Sequence, residues 1–153
     1  MTRDLVILVA EDDDGHARLI EKNLVRGGLT NRIERFSDGQ EILDFLLCQG
    51  NGRKREADTP YLLLLDIRMP KMDGVEVLRR IKQHPDLLKM PVSMLSTTDD
   101  PREVERCHAL GCGAYLVKPV DYHQFEDVIR SLGLFFTLVQ VPHLGKTVAN
   151  MTP

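Results

Sequence analysis

The sequence predicts an α/β fold: a doubly wound parallel sheet of five strands with five helices spread over its two faces. Three observations lead there. Short apolar runs such as LVILVA at 5–10 and LLLLD at 62–66 stop abruptly at acids, the pattern of strands buried on both faces. These runs alternate with stretches of helical apolar spacing, so successive strands are joined by helical crossovers. Most strands also end in a charged or hydroxyl residue, which sets polar chemistry along the carboxyl edge, where open α/β sheets place their sites.

The first strand, Leu5 to Ala10, ends at Glu11, Asp12 and Asp13. Ala17, Leu19, Ile20, Leu24 and Val25 then recur at helical spacing until Gly27-Gly28 stop the helix. Arg32 to Phe36 is short and mixed, an edge strand. Ser37 with Gln40 forms a capping-box pattern for a second helix, whose apolar face is Ile42, Leu43, Phe45, Leu46 and Leu47. A polar, basic loop from Gly50 to Thr59 leads into the third strand, with Asp66 emerging at its carboxyl end before Pro70. Asp73 with Glu76 opens a third helix, Val75, Val77, Leu78 and Ile81 facing inward, and Pro85 ends it. Pro91 to Leu95 is the fourth strand, finishing at Ser96-Thr97-Thr98. Asp100 caps the fourth helix, Pro101 takes its first position, Glu103 completes the box, and the helix runs to about Gly111. Ala114 to Val117 is the last strand, ending at Lys118-Pro119, and Asp121 with Gln124 starts a fifth helix through Phe125, Val128, Ile129, Leu132, Phe135 and Phe136. The order these elements favour is 2-1-3-4-5, the flavodoxin-like arrangement.

With 153 residues, 42% of them hydrophobic and 28% charged, the chain fits one domain with a full core and leaves no room for a second. A formal net charge of -3 argues against a dedicated nucleic-acid binder. Arg53, Lys54 and Arg55 cluster beside Gly50, Asn51 and Gly52, which reads as a solvated loop. No apolar run approaches the roughly 20 residues that span a bilayer, and no signal-peptide pattern precedes the first strand, so the expected location is the cytoplasm. Cys48, Cys107 and Cys112 match neither a disulfide framework nor a zinc site and read as reduced, structural thiols.

The strand ends form a set. Neighbouring parallel strands ending at Glu11, Asp12 and Asp13 and at Asp66 gather several carboxylates within a few ångströms, and like charges raise one another's pKa unless a cation neutralises them. All-oxygen carboxylate ligation suits Mg²⁺. A strand-end aspartate can attack a phosphoryl group to give an aspartyl phosphate, provided the meeting anions are neutralised and aligned. Glu11 and Asp12 supply the acidic side for the metal, Asp66 the nucleophile, Lys118 the counter-cation and Ser96 a hydroxyl donor. Each residue alone has an ordinary reading, as a helix-start acid, a turn former, a cap hydroxyl or a solvated lysine. Their joint occurrence in this order is what points to chemistry.

With ILVAEDD at 7–13, LLLLDIRMPKMDG at 62–74, PVSMLST at 91–97 and AYLVKP at 114–119, the chain resembles the receiver domain of two-component response regulators over about residues 4 to 137. The spacings, 30 positions from Asp66 to Ser96 and 22 from Ser96 to Lys118, are similar to those of the family. The resemblance implies Asp66 as phosphoacceptor, and Glu11, Asp12, Asp66 and the backbone carbonyl of Arg68 as the Mg²⁺ ligands. It implies Ser96 as switch hydroxyl, Tyr115 as the aromatic that follows it, and Lys118 as the active-site lysine, joined to Pro119 by a cis peptide, which costs only about 0.5–1 kcal/mol over trans. Serine replaces the commoner threonine at 96, and Thr97 stands where alanine is frequent. The Gly50–Thr59 insertion and the tail LFFTLVQVPHL at 134–144 resemble the small stand-alone regulators paired with phytochrome-type sensor histidine kinases.

The implied function is to take a phosphoryl group from such a kinase onto Asp66 and to change the surface of helix 4, strand 5 and helix 5, with Tyr115 filling space that Ser96 vacates. Water then reverses the step, with Arg68 and Thr98 flanking its approach. The reading divides the chain into a receiver domain, 1–140, and a tail, 141–153, with no DNA-binding output domain, so the signal leaves through protein contacts. Phe135, Phe136, Leu138 and Val139 carry apolar character beyond one helix face and suit a homodimer or partner interface. The only chemistry implied is that of its own phosphorylation and dephosphorylation. A haloacid-dehalogenase-type phosphatase, the rival enzyme class, needs a second aspartate two residues past the first, where this chain has Arg68. A receiver-like module that never becomes phosphorylated usually lacks one of the key acids or the lysine, and all are present here.

Overall fold

The structure is a computed structural model and describes residues 5–144. Strands β1 (Val6–Ala10), β2 (Ile33–Phe36), β3 (Tyr61–Asp66), β4 (Val92–Ser96) and β5 (Ala114–Val117) alternate with helices α1 (Asp14–Arg26), α2 (Gly39–Leu47), α3 (Gly74–Gln83), α4 (Pro101–Leu110) and α5 (Tyr122–Phe136). All neighbouring strands are parallel, in the order β2-β1-β3-β4-β5. This is the flavodoxin-like sheet expected from the sequence.

Alternation along the central strands divides the core. Val6, Leu8, Ala10, Leu63 and Leu65 point into one apolar cluster with side chains of α2, α3 and α4, such as Ile42, Phe45, Leu78, Ile81 and Cys107. Leu5, Ile7, Val9, Leu62 and Leu64 point into the other, with Leu19, Ile20 and Leu24 of α1 and Phe125, Ile129 and Phe136 of α5. A strand buried on both sides has no polar face to show, which is why LLLL is continuous rather than alternating. Each fully buried leucine contributes on the order of 1.5–3 kcal/mol.

Gly133 lies within α5 without interrupting it. A Cβ there would stand 2.3 Å from the carbonyl oxygen of Leu24, so the glycine is what lets α5 lie against the backbone of α1. Close approach of this kind is one of the few good reasons for glycine inside a helix.

Several local expectations are corrected. The cap of α2 is Asp38, not Ser37: its side chain accepts from the Glu41 N–H, while Glu41 reaches back past the cap and accepts from the Ser37 N–H at 2.9 Å. Val25 points to solvent, and Asn23 takes the buried place beside Leu24. Among the described residues no peptide is cis, so Lys118–Pro119 is trans; the lysine reaches its partners without the isomer. The basic loop is only partly solvated. Arg53 stacks over the Phe36 ring, pairs with Glu34 and donates to the Arg35 carbonyl oxygen, and Arg55 is buried with its Nε donating to the Leu46 carbonyl oxygen at 2.9 Å.

The segment after α5 folds back on the domain. Phe136 is buried, Val139 and Val141 pack against the α1–α5 core, and Leu144 is buried with its N–H donating to the Thr59 carbonyl oxygen at 3.3 Å. Leu134, Phe135 and Leu138 stay exposed. Of the expected tail, residues 145–153 lie outside the described residues. No helix among the described residues is long and apolar enough to cross a membrane.

Candidate functional site

Register brings the strand ends together. Ala10 pairs with Leu65, so Glu11 and Asp66 leave the sheet side by side; Asp66 pairs with Leu95, and Ser96 with Val117, which sets Lys118 next in line. The Lys118 N–H donates to the Ser96 carbonyl oxygen at 2.6 Å, tying the last two strand ends. A one-residue slip would turn these side chains to other faces and break up the set.

Glu11 and Asp66 are 1% and 6% exposed, and Asp12 stands beside them at the surface. One carboxylate oxygen from each of the three lies within 4.8 Å of the others. The Lys118 ammonium donates to Glu11 Oε1 at 2.9 Å and sits 3.1 Å from Asp66 Oδ1. Burial, then the charge of Glu11, push the Asp66 carboxyl up to about 6, with Lys118 pulling it back. Burial works against the Lys118 ammonium, but Glu11 and Asp66 more than offset it and raise its pKa. Three carboxylates against one ammonium leave the cluster short of positive charge, and hard oxygen donors at this spacing fit a divalent cation of the Mg²⁺ type. Arg68 lies exposed in the β3–α3 loop, two residues past Asp66.

That loop is held by Gly74, whose N–H donates to the Ile67 carbonyl oxygen at 2.7 Å; a Cβ at 74 would stand 2.4 Å from the Asp66 carbonyl oxygen. The DG pair at 73–74 thus has two jobs, since Asp73 caps α3 by accepting from the Glu76 N–H. Ser96 is 1% exposed and its Oγ accepts from the Thr98 N–H at 3.1 Å. Tyr115 is half-buried, and its hydroxyl meets the Thr98 carbonyl oxygen at 2.9 Å. Thr97 is exposed and lines a cavity of about 120 Å³ with Lys118 and Pro119.

Two residues escaped the reading of the sequence. Arg35, paired with Val9 on β2, donates from Nε and Nη2 to the Glu11 carbonyl oxygen and from Nη1 to Asp14, so it fixes the loop that carries the acidic pair. Its only sequence signal is its place at the end of the edge strand. Glu103, expected to complete a cap, instead accepts from the Tyr115 hydroxyl at 2.7 Å.

Comparison with known proteins places the fold in a family. The response regulator receiver domain family matches residues 7–130. A probable methanogenesis regulatory protein, FilR2, of Methanothrix harundinacea is 40% identical over 128 residues, 83% of this chain and 78% of that protein. The crystal structure of a response regulator receiver domain from Rhodospirillum rubrum superposes with a TM-score of 0.86 at 44% identity, covering 92% of this chain and 99% of that one. The phosphorylated cyanobacterial phytochrome response regulator RcpA superposes with a TM-score of 0.78 at 28% identity, covering 90% and 97%. Phytochrome response regulators are therefore among its close structural neighbours. With the fold shared and the family matched over most of its length, the chain belongs to the response regulator receiver domains of two-component signalling.

Proposed function

We propose that this receiver takes a phosphoryl group from a sensor histidine kinase, of the phytochrome type by its structural neighbours, onto Asp66 in a Mg²⁺-dependent reaction. The observation that carries the reading is the Lys118 ammonium shared between Glu11 and Asp66 inside a cluster of three carboxylates. An Asp66 carboxylate oxygen attacks phosphorus, a new P–O bond forms, and the bond from phosphorus to the donor's imidazole nitrogen breaks, that nitrogen keeping the electron pair. Lys118 draws Asp66 back toward its ionised form, aims it, and offers its ammonium to the arriving oxygens. Glu11, Asp12, Asp66 and the Arg68 carbonyl are the ligands proposed for Mg²⁺, which when bound supplies the positive charge that lets anion meet anion. Ser96 is the hydroxyl that turns to the phosphoryl group, and Tyr115 follows it. Arg68 and Thr98 flank the path of the water that later removes the group.

The chain acts in the cytoplasm and signals through contacts. The surface on α4, β5 and α5, together with exposed Leu134, Phe135 and Leu138, is the proposed homodimer or partner face. The receiver domain is taken as 1–140 and the tail as 141–153. The only chemistry proposed is that of its own phosphorylation and dephosphorylation.

Intact mass after incubation with acetyl phosphate tests this. The expected result is a gain of one phosphoryl group that needs Mg²⁺ and is absent in Asp66→Asn. No gain in native protein under any condition would leave a phosphorylation-independent interaction module as the reading.

A further inference from the structure

Glu103, in the first turn of α4, is a carboxylate that the phosphoacceptor chemistry does not use. Its spacing from Asp100 suits a capping box, in which it would reach back to the Asp100 N–H. The structure spends it otherwise. The Asp100 N–H goes to Thr98 Oγ1 at 3.2 Å, and Glu103 Oε2 turns inward to the Tyr115 hydroxyl at 2.7 Å and to Ser96 Oγ at a longer 3.5 Å. One carboxylate oxygen thus touches both hydroxyls of the proposed switch.

A hydroxyl has one hydrogen to give. Ser96 can donate to Glu103 or to a phosphoryl oxygen on Asp66, not to both. Tyr115 chooses between the Thr98 carbonyl oxygen at 2.9 Å and Glu103, and an ionised carboxylate is the stronger acceptor. Burial pushes the Tyr115 hydroxyl up to about 12, with Ser96 pulling it back and Glu103 adding to the rise, so it remains a donor throughout the neutral range. A released carboxylate also has somewhere to go: a cleft of about 470 Å³ opens beside Glu103 and is lined by Arg68 and Arg106, the latter one helical turn on.

We infer that Glu103 is a positioning residue that holds the Ser96 and Tyr115 hydroxyls in the unphosphorylated arrangement, so that phosphorylation must draw Ser96 away from a carboxylate. This rests on the phosphoacceptor reading above. Glu103 then sets how readily the switch turns and touches none of the reacting atoms.

The test uses beryllium fluoride with Mg²⁺ as the phosphoryl mimic, its affinity measured by titration calorimetry, beside acetyl phosphate labelling of the same proteins. Glu103→Gln keeps the shape and weakens the acceptor, and is expected to tighten beryllofluoride binding about three- to tenfold. Glu103→Asp keeps the charge and shortens the reach, and is expected to tighten it similarly. In a Ser96→Ala, Tyr115→Phe background, Glu103→Gln should change affinity by less than about twofold, because neither hydroxyl remains to release. Unchanged affinity in both Glu103 variants, or a gain that persists fully without the Ser96 and Tyr115 hydroxyls, overturns the inference; the latter would mean a general effect of charge. Native protein that takes up neither the mimic nor the phosphoryl group overturns the phosphoacceptor reading itself and this inference with it. Matching thermal midpoints of the variants separate any of these results from loss of folding.

Discussion

Asp66 is held in a state that costs the fold stability. Its carboxyl ordinarily titrates near 3.8 and in the folded chain near 6, raised by burial and by Glu11. Between those values the folded chain holds the proton that the unfolded chain has lost. The contribution is therefore fully present below pH 3.8 and is lost as pH rises through about 6. At neutral pH the metal-free protein carries an ionised Asp66 that the site disfavours. Asp66→Asn should then be more stable than native at pH 7.5 by on the order of 1 kcal/mol, with the gap closing toward pH 4.5. Urea midpoints at the two pH values in the presence of a chelator measure this, and an Asn variant that is less stable at pH 7.5 would contradict the assigned origin of the shift. The same imbalance of charge is what suits the site to a divalent cation.

At the scale of elements, two glycines act through the backbone they admit. At 133 a methyl group would be driven to 2.3 Å from the Leu24 carbonyl oxygen, and a helix backbone cannot yield as a flexible side chain can. Gly133→Ala improves helix propensity by about 1 kcal/mol in isolation, yet is expected to destabilise by about 1–3 kcal/mol because α5 must lift from α1. Denaturant unfolding decides the sign. At 74 the methyl would press on the Asp66 carbonyl oxygen, so Gly74→Ala should slow acetyl phosphate labelling at least tenfold by displacing the loop that follows Asp66, about 1.4 kcal/mol. Labelling at the native rate would show that the loop adapts.

For the whole molecule, the question is where the signal leaves. Most large apolar side chains are buried, but Phe135 and Leu138 remain 57% and 73% exposed beside one another along the chain, at and just past the end of α5. If they form a dimer face, the double variant Phe135→Glu, Leu138→Glu should sediment as a monomer under conditions where native protein, phosphorylated or mimic-bound, is a dimer. Because both sites are exposed, stability should change by no more than about 0.5 kcal/mol. Native protein that is monomeric in both states would remove this face from the mechanism. At the opposite edge of the sheet, the loop carrying Arg53 lies over β2 and its stacked Phe36, covering backbone that an edge strand would otherwise offer to other chains.

The sequence by itself determined the element order, the sheet and which polar side chains meet at its carboxyl edge. Those follow from local patterns: apolar runs that stop at Glu11 and Asp66, caps at Asp73, Asp100 and Asp121, and a Ser96–Lys118 spacing that places both on one sheet edge. Tertiary structure decided what depends on partners distant in the chain. Whether Glu103 caps α4 or reaches Tyr115 turns on how α4 lies over β5, and no spacing within the helix distinguishes the two. That Arg35 grips the Glu11 carbonyl, that Arg55 is buried, that Phe136 points inward while Phe135 points out, and that Leu144 returns to Thr59 are likewise outcomes of packing. A side chain's pattern fixes which face of its element is apolar, but the acceptor a charged group finds is set by elements brought beside it only when the chain has folded.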